Sequence, residues 1–216
     1  QMCIRDRHRQ CKSQLPAGTI LLFRLGDFYE MFYEDAKEAS QLLGLTLTAR
    51  NHGKTSGDVP LAGVPHHAME GYLAKLIQMG RKVAICEQVE DPKQAKGVVE
   101  RDVVQVVSPG TALSDAMLDQ QRNNFLVGLC PHPDMIGLAS VDLSTGDFTL
   151  DEVPPADLAD ELAGLAPAEL LIAANADQTT ARASARRRTA QTRQTRARRQ
   201  GLRGCACRLY TSPSPR

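Results

Sequence analysis

Two β-rich apolar runs, residues 20–25 and 28–33, are separated only by Gly26-Asp27. A connection this short reads as the turn of a β-hairpin, because parallel strands need a crossover of a dozen residues or more. Along the second run, Phe28-Tyr29-Glu30-Met31-Phe32, side chains at i and i+2 point the same way. Phe28 and Glu30 therefore project together, roughly 6 to 7 Å apart at a rise of about 3.3 Å per residue. This places a stacking ring beside a hydrogen-bonding group. The same geometry also suits a plain hairpin, with Phe28 in its core and Glu30 a solvated carboxylate, and geometry alone leaves both open.

Strand and helix patterns alternate beyond the hairpin, giving an α/β chain. A helix is expected over 34–43, closed near Gly44, then a strand over 45–49, a polar loop over 50–58, and a short strand over 59–64 broken by Pro60 and Pro65. Leu73, Leu76 and Ile77 fall at helical spacing within 67–79, and 83–86 and 103–107 are β-rich. This first unit covers residues 13–112. Ser114 and Asp115 suit the cap of a linking helix reaching about 122. Strands over 125–129, 135–143 and 148–153, a helix over 156–165 and a buried strand over 170–173 start a second unit, 113–174, expected to be truncated before its sheet closes.

The flanks differ from this interior. Residues 175–216 hold eleven arginines and one acid, and 177–204 use little besides Arg, Ala, Thr, Gln, Ser and Gly. Such a segment lacks the apolar periodicity to fold by itself. It suits an out-of-frame, disordered tail, and a basic nucleic-acid tail is the rival reading. Residues 1–7 and 209–216 resemble translated sequencing-adapter sequence, and 1–12 are expected to be a non-native extension. Between them, residues 13–174 carry eleven Lys/Arg against twenty-three Asp/Glu, a net of −12. A surface that acidic grips DNA phosphates poorly.

No apolar run of about 18 residues is present, so no membrane span is expected and the cytoplasm is the default. The six cysteines form no Cys-x-x-Cys pair and read as free thiols. The adjacent His66 and His67 lie on different faces and lack a placed acid or Cys partner, which disfavours a metal site.

Eight blocks occur in order: Gly26-Asp27-Phe28-Tyr29-Glu30-Met31-Phe32; Asp35-Ala36; Leu61-Ala62-Gly63-Val64-Pro65-His66-His67-Ala68; Tyr72-Leu73-Ala74-Lys75-Leu76; Val83-Ala84-Ile85-Cys86-Glu87-Gln88; Asp91-Pro92; Val99-Glu100-Arg101; and Ser108-Pro109-Gly110-Thr111. Together they resemble the N-terminal part of the bacterial MutS family of DNA mismatch recognition proteins, from about Leu15 to Ala173. The resemblance implies a mixed-sheet mismatch-recognition domain followed by a ribonuclease-H-like connector domain. It further implies that Phe28 wedges into the minor groove and stacks on a mispaired base, while Glu30 hydrogen-bonds to that base. Arg50 and Lys54, in a polar loop, are weaker candidates for contacts with the DNA backbone. By resemblance the parent protein is a homodimeric, ATP-dependent clamp that uses Mg2+, partners a MutL-type protein and works at the bacterial nucleoid.

Two enzymatic readings compete. Asp142, in Val141-Asp142-Leu143-Ser144, lies on the kind of strand that carries a metal-binding Asp in ribonuclease-H-like nucleases. Two-metal hydrolysis needs several clustered carboxylates, and a turn-capping Asp is the simpler reading. For ATP hydrolysis, no Gly-x-x-x-x-Gly-Lys-Ser/Thr occurs in these 216 residues. No catalytic residue, metal site or cofactor is expected in this chain itself.

Overall fold

The computed structural model describes residues 4–50, 58–90, 99–119, 122–173 and 193–197. The expected hairpin is its centre. Strand β1 (Thr19–Leu25) turns back through Gly26, at φ +60°, into antiparallel β2 (Phe28–Phe32), with Leu25 opposite Phe28 and Phe23 opposite Glu30. The strand stops one residue earlier than expected, because Tyr33 takes φ +54° and begins helix α2 (Tyr33–Leu43). That helix closes on left-handed Gly44, whose N–H reaches the Ser40 carbonyl.

Four further strands complete the first sheet. Beside β2 lies β4 (Val59–Pro65) and beyond it the three-residue β3 (Thr48–Arg50), both antiparallel. On the other side, β5 (Lys82–Gln88) runs parallel to β1, and β6 (Arg101–Val107) pairs antiparallel with β5. Pro60 and Pro65 do not break β4 as expected. The β2 pairing spans 61 to 65, so Pro60 lies outside it and Pro65 is the last residue.

Both faces of this sheet are covered. Helices α2 and α3 (Met69–Gln78) bury Ile20, Leu22, Tyr29, Met31, Leu76 and Val83 on one side. On the other, helix α1 (Ile4–Ser13) brings Cys11 against Leu21, Phe23, Phe32, Ala84 and Cys86. A strand buried on both faces has no polar side, and so Ile20-Leu21-Leu22-Phe23 reads as a continuous apolar run rather than an alternating one. The Asp35 carboxylate ties the layers together by accepting from Lys12 Nζ of α1 at 2.7 Å and from the Leu21 N–H of β1 at 3.0 Å. Residues 4–12, set apart in the sequence as an extension, thus form a helix packed on the sheet, with Cys11 in its core, Ile4 packed against that core, and Arg7, Arg9 and Lys12 bonded to Glu100, Tyr33 and Asp35.

The expected linking helix over 114–122 is absent from its described residues. Ser114 accepts the N–H groups of Met117 and Leu118 in a single turn, and Met117 and Leu118 pack on the first core instead of continuing a helix.

The second sheet has the order β11-β10-β7-β8-β9. Strands β7 (Phe125–Pro131), β8 (Ile136–Asp142) and β9 (Asp147–Val153) form an antiparallel meander. Helix α4 (Leu158–Leu165) then leads into β10 (Glu169–Ala173), parallel to β7, and buries Leu158 with Val127, Leu138, Leu170 and Ile172. Strand β11 (Arg193–Ala197) adds parallel to β10. The tail was expected to be disordered throughout. A strand within it is accounted for by the edge of β10, whose backbone groups offer a ladder to any extended neighbour whatever its side chains.

A polar joint connects the two sheets. Lys82 of β5 and Glu169 of β10 form an ion pair of 2.9 Å with side chains 11% and 3% exposed, and Glu169 also accepts the Gly110 N–H at 3.3 Å. Asn124 donates its side-chain amide to the Pro109 carbonyl at 2.8 Å.

Candidate nucleic-acid interface

Strand β2 alternates sharply in burial at its first residues. Tyr29 and Met31 are sealed in the core at 1% and 0% exposure, whereas Phe28 is 47% exposed and Glu30 half-buried. Burying a phenylalanine stabilises a fold by about 1.5 to 3 kcal/mol, and this one is left half-exposed at the turn end of the hairpin. Phe28 and Glu30 share the face opposite Tyr29. Gly63 of β4 confirms this, since a Cβ placed on it would lie 3.8 Å from Glu30 Cγ and 3.9 Å from Phe28 Cδ1. The structure therefore brings the two principal sequence candidates together.

The tip carrying Phe28 is held from beneath. The Tyr29 ring stacks on His66 at 5.7 Å, the Arg24 guanidinium lies 5.3 Å from the Tyr29 ring centroid, and the His66 N–H donates to the Asp27 carbonyl at 2.8 Å. The Tyr29 hydroxyl donates to Glu87 on β5, reaching past β1, and Arg24 Nε donates to the Gly26 carbonyl. Burial, followed by the hydrogen bond and charge of Glu87, pushes the Tyr29 phenol up to about 12, so it stays a donor. This support is not legible in the sequence: Tyr29 and Glu87 are 58 residues apart, and nothing local to His66 marks a stacking partner. Its stacking on Tyr29 gives it a packing role.

The weaker candidates separate. Arg50 ends strand β3, two strands away from β2, and Lys54 lies outside the described residues. Asp142 is fully buried at the end of β8. It accepts from the Ser144 hydroxyl at 2.6 Å, the Ser144 N–H at 2.9 Å and the Asn124 N–H at 2.8 Å. Burial by itself would raise its pKa, but the Ser144 hydroxyl and the backbone N–H donors outweigh it and hold the carboxyl below its usual range. One oxygen shapes the turn after β8, and the other holds the backbone just before β7. Among the described residues, no group of three or more His, Cys, Asp or Glu side chains is placed to hold a metal ion, and no helix is long and apolar enough to cross a membrane.

Comparison with known proteins matches this architecture. Residues 6–116 fit the family described as MutS domain I, and residues 124–204 fit MutS domain II. The second match continues through the composition change at 175 and includes β11. The DNA mismatch repair protein MutS of Methanothrix thermoacetophila is 48% identical over 166 residues, covering 77% of this chain and 19% of the relative. Its counterpart from Chlorobium phaeobacteroides is 49% identical over 158 residues, covering 71% and 18%, and that from Desulfitobacterium hafniense 50% over 171 residues, covering 78% and 19%. The chain thus spans about a fifth of the length of these relatives. With domain I matched onto the hairpin sheet and domain II onto the second, the chain belongs to the MutS family.

Proposed function

We propose that this chain reads mispaired or unpaired bases in duplex DNA, with Phe28 stacking on the displaced base and Glu30 hydrogen-bonding to it. The observation that carries this reading is the half-exposed Phe28 beside Glu30 on a strand whose intervening residue, Tyr29, is locked in the core. A wedge pushed between base pairs costs a few kcal/mol in lost stacking. Stacking on an aromatic ring returns about 1 to 3 kcal/mol per base. A correctly paired base is too costly to displace on that return, whereas a mispaired base has already lost part of its pairing energy. A rigid wedge therefore senses weak pairing rather than sequence.

Glu30 sharpens the choice. An ionised carboxylate only accepts hydrogen bonds, so it meets a base N–H while charged and a base acceptor such as a purine N7 only when protonated. Near phosphates its charge opposes binding to any duplex, and a base displaced into reach compensates best. The net −12 of residues 13–174 works in the same direction. In this proposal the duplex is gripped by other parts of a longer homodimeric protein, where ATP and Mg2+ would act and a MutL-type partner would bind. This segment itself is a reader, not an enzyme, and would act at the bacterial nucleoid.

The test is fluorescence anisotropy with duplexes that differ only in one mismatch. Residues 4–173 replace the matching segment of the Methanothrix relative, so that α1 is kept and binding strength is supplied. Phe28→Ala is expected to remove at least tenfold of the preference for mismatched DNA, and an undiminished preference would overturn the reading. A nuclease centred on Asp142 is disfavoured by the engagement of both its oxygens, one by Ser144 in the turn and the other by the Asn124 N–H.

A further inference from the structure

We infer that Gly63 is a specificity-determining position, whose bare backbone forms the floor on which the edge of the displaced base and its sugar lie between Phe28 and Glu30. This rests on the proposed role of that pair.

Register places Gly63 directly opposite Glu30, and Pro65 opposite Phe28. Residues opposite each other in an antiparallel pair direct their side chains to the same face. The side-chain position of Gly63 therefore belongs to the recognition face.

Nothing in the fold requires glycine there. Gly63 is absent from the glycines with positive φ, namely Gly18, Gly26, Gly44, Gly80 and Gly146. A Cβ would meet the Tyr29 carbonyl oxygen at 3.5 Å, Glu30 Cγ at 3.8 Å and Phe28 Cδ1 at 3.9 Å, all ordinary contact distances. Glycine inside a strand is a stability cost in backbone entropy and lost packing, and where no bulge or bend demands it, it marks close approach by a ligand or another backbone. Here the next strand outward, β3, pairs only with residues 59–61 of β4, so no described strand continues alongside Gly63. The atoms nearest the vacant position belong to the two residues proposed to touch the base. A side chain larger than methyl would project between the ring and the carboxylate and hold a base away from both.

Gly63→Ala, Gly63→Val and Gly63→Leu, made in the same chimera beside Phe28→Ala, test this. Affinity for matched and mismatched duplexes is read by anisotropy, and base unstacking by 2-aminopurine fluorescence at the mismatch. Alanine is expected to keep discrimination within twofold. Valine and leucine are expected to lower it at least tenfold and to suppress the 2-aminopurine signal at the mismatch. Valine is a strong strand former and supplies the steric test if leucine compromises folding, which thermal unfolding reports. If Phe28→Ala abolishes discrimination while Gly63→Val retains it, the inference fails and the reading of Phe28 stands. If Phe28→Ala retains discrimination, both fall.

Discussion

At the scale of single residues, the proposed site is one aromatic ring and one carboxylate on a fixed backbone. Glu30→Gln keeps the shape and removes the charge. It is expected to raise affinity for matched duplex and to narrow the gap between matched and mismatched DNA. Unchanged discrimination in a side-by-side anisotropy titration would show that the charge of Glu30 does not set selectivity. Tyr29→Phe removes the hydroxyl that reaches Glu87 without disturbing the ring stack on His66. A hydrogen bond to a charged group contributes about 1.5 to 3 kcal/mol, and a loss of that order should appear in chemical denaturation of the chain. Phe28 and Glu30 were legible in the sequence because a strand period of two puts them on one face. The Tyr29–Glu87 link was not, because Tyr29 alone shows only an aromatic at a core position.

At the scale of elements, the joint between the sheets is the least forgiving place. A Cβ on Gly110 would lie 2.8 Å from Glu169 Cβ and 2.9 Å from Leu126 Cδ1, closer than side chains pack. Overpacking of this kind costs about 1 to 3 kcal/mol, so Gly110→Ala should lower the unfolding midpoint while Gly63→Ala does not. Lys82→Met removes the cation 2.9 Å from the buried Glu169 carboxylate. A destabilisation of about 3 to 5 kcal/mol is expected, most of it recovered by adding Glu169→Leu, since replacing both partners of a buried pair by apolar groups is often neutral. A double-mutant cycle in denaturant checks this. Pro109-Gly110-Thr111 announced a turn in the sequence. Its contact with Glu169, 59 residues away, was settled only by packing.

At the scale of the whole molecule, the fold depends on α1 being docked, and this docking is sensitive to acid. His8 lies 3% exposed against Phe23 and Phe32, and its two ring nitrogens have no hydrogen-bond partner among the described residues. Burial outweighs the attraction of Asp35 and, with Lys12 and Arg9 adding to it, lowers the pKa from 6.5 to about 4. Above pH 6.5 the ring is neutral folded or unfolded, and His8 adds no pH dependence. As pH falls below 6.5 the unfolded chain takes up the proton first, so stability is lost down to about pH 4, by on the order of 3 kcal/mol. The depressed carboxyl of Asp142 acts in a lower window, below its ordinary 3.8. Thermal melts between pH 7 and 4.5 should show a falling midpoint, and His8→Phe should flatten that fall.

The sequence by itself determined the hairpin, most of the strand and helix order, the pairing of Phe28 with Glu30 on one face, and the turn after Asp142, because each follows from local period or a short connection. Only the tertiary structure decided the rest. It set α1 against the sheet, made β4 continuous through two prolines, replaced the expected helix after Ser114 with a single turn, and added β11 within the arginine-rich segment. Each depends on what lies alongside: a face to bury, an unused hydrogen-bonding position, a core within reach, or an open strand edge. These neighbours are distant in the chain and leave no mark in the local pattern.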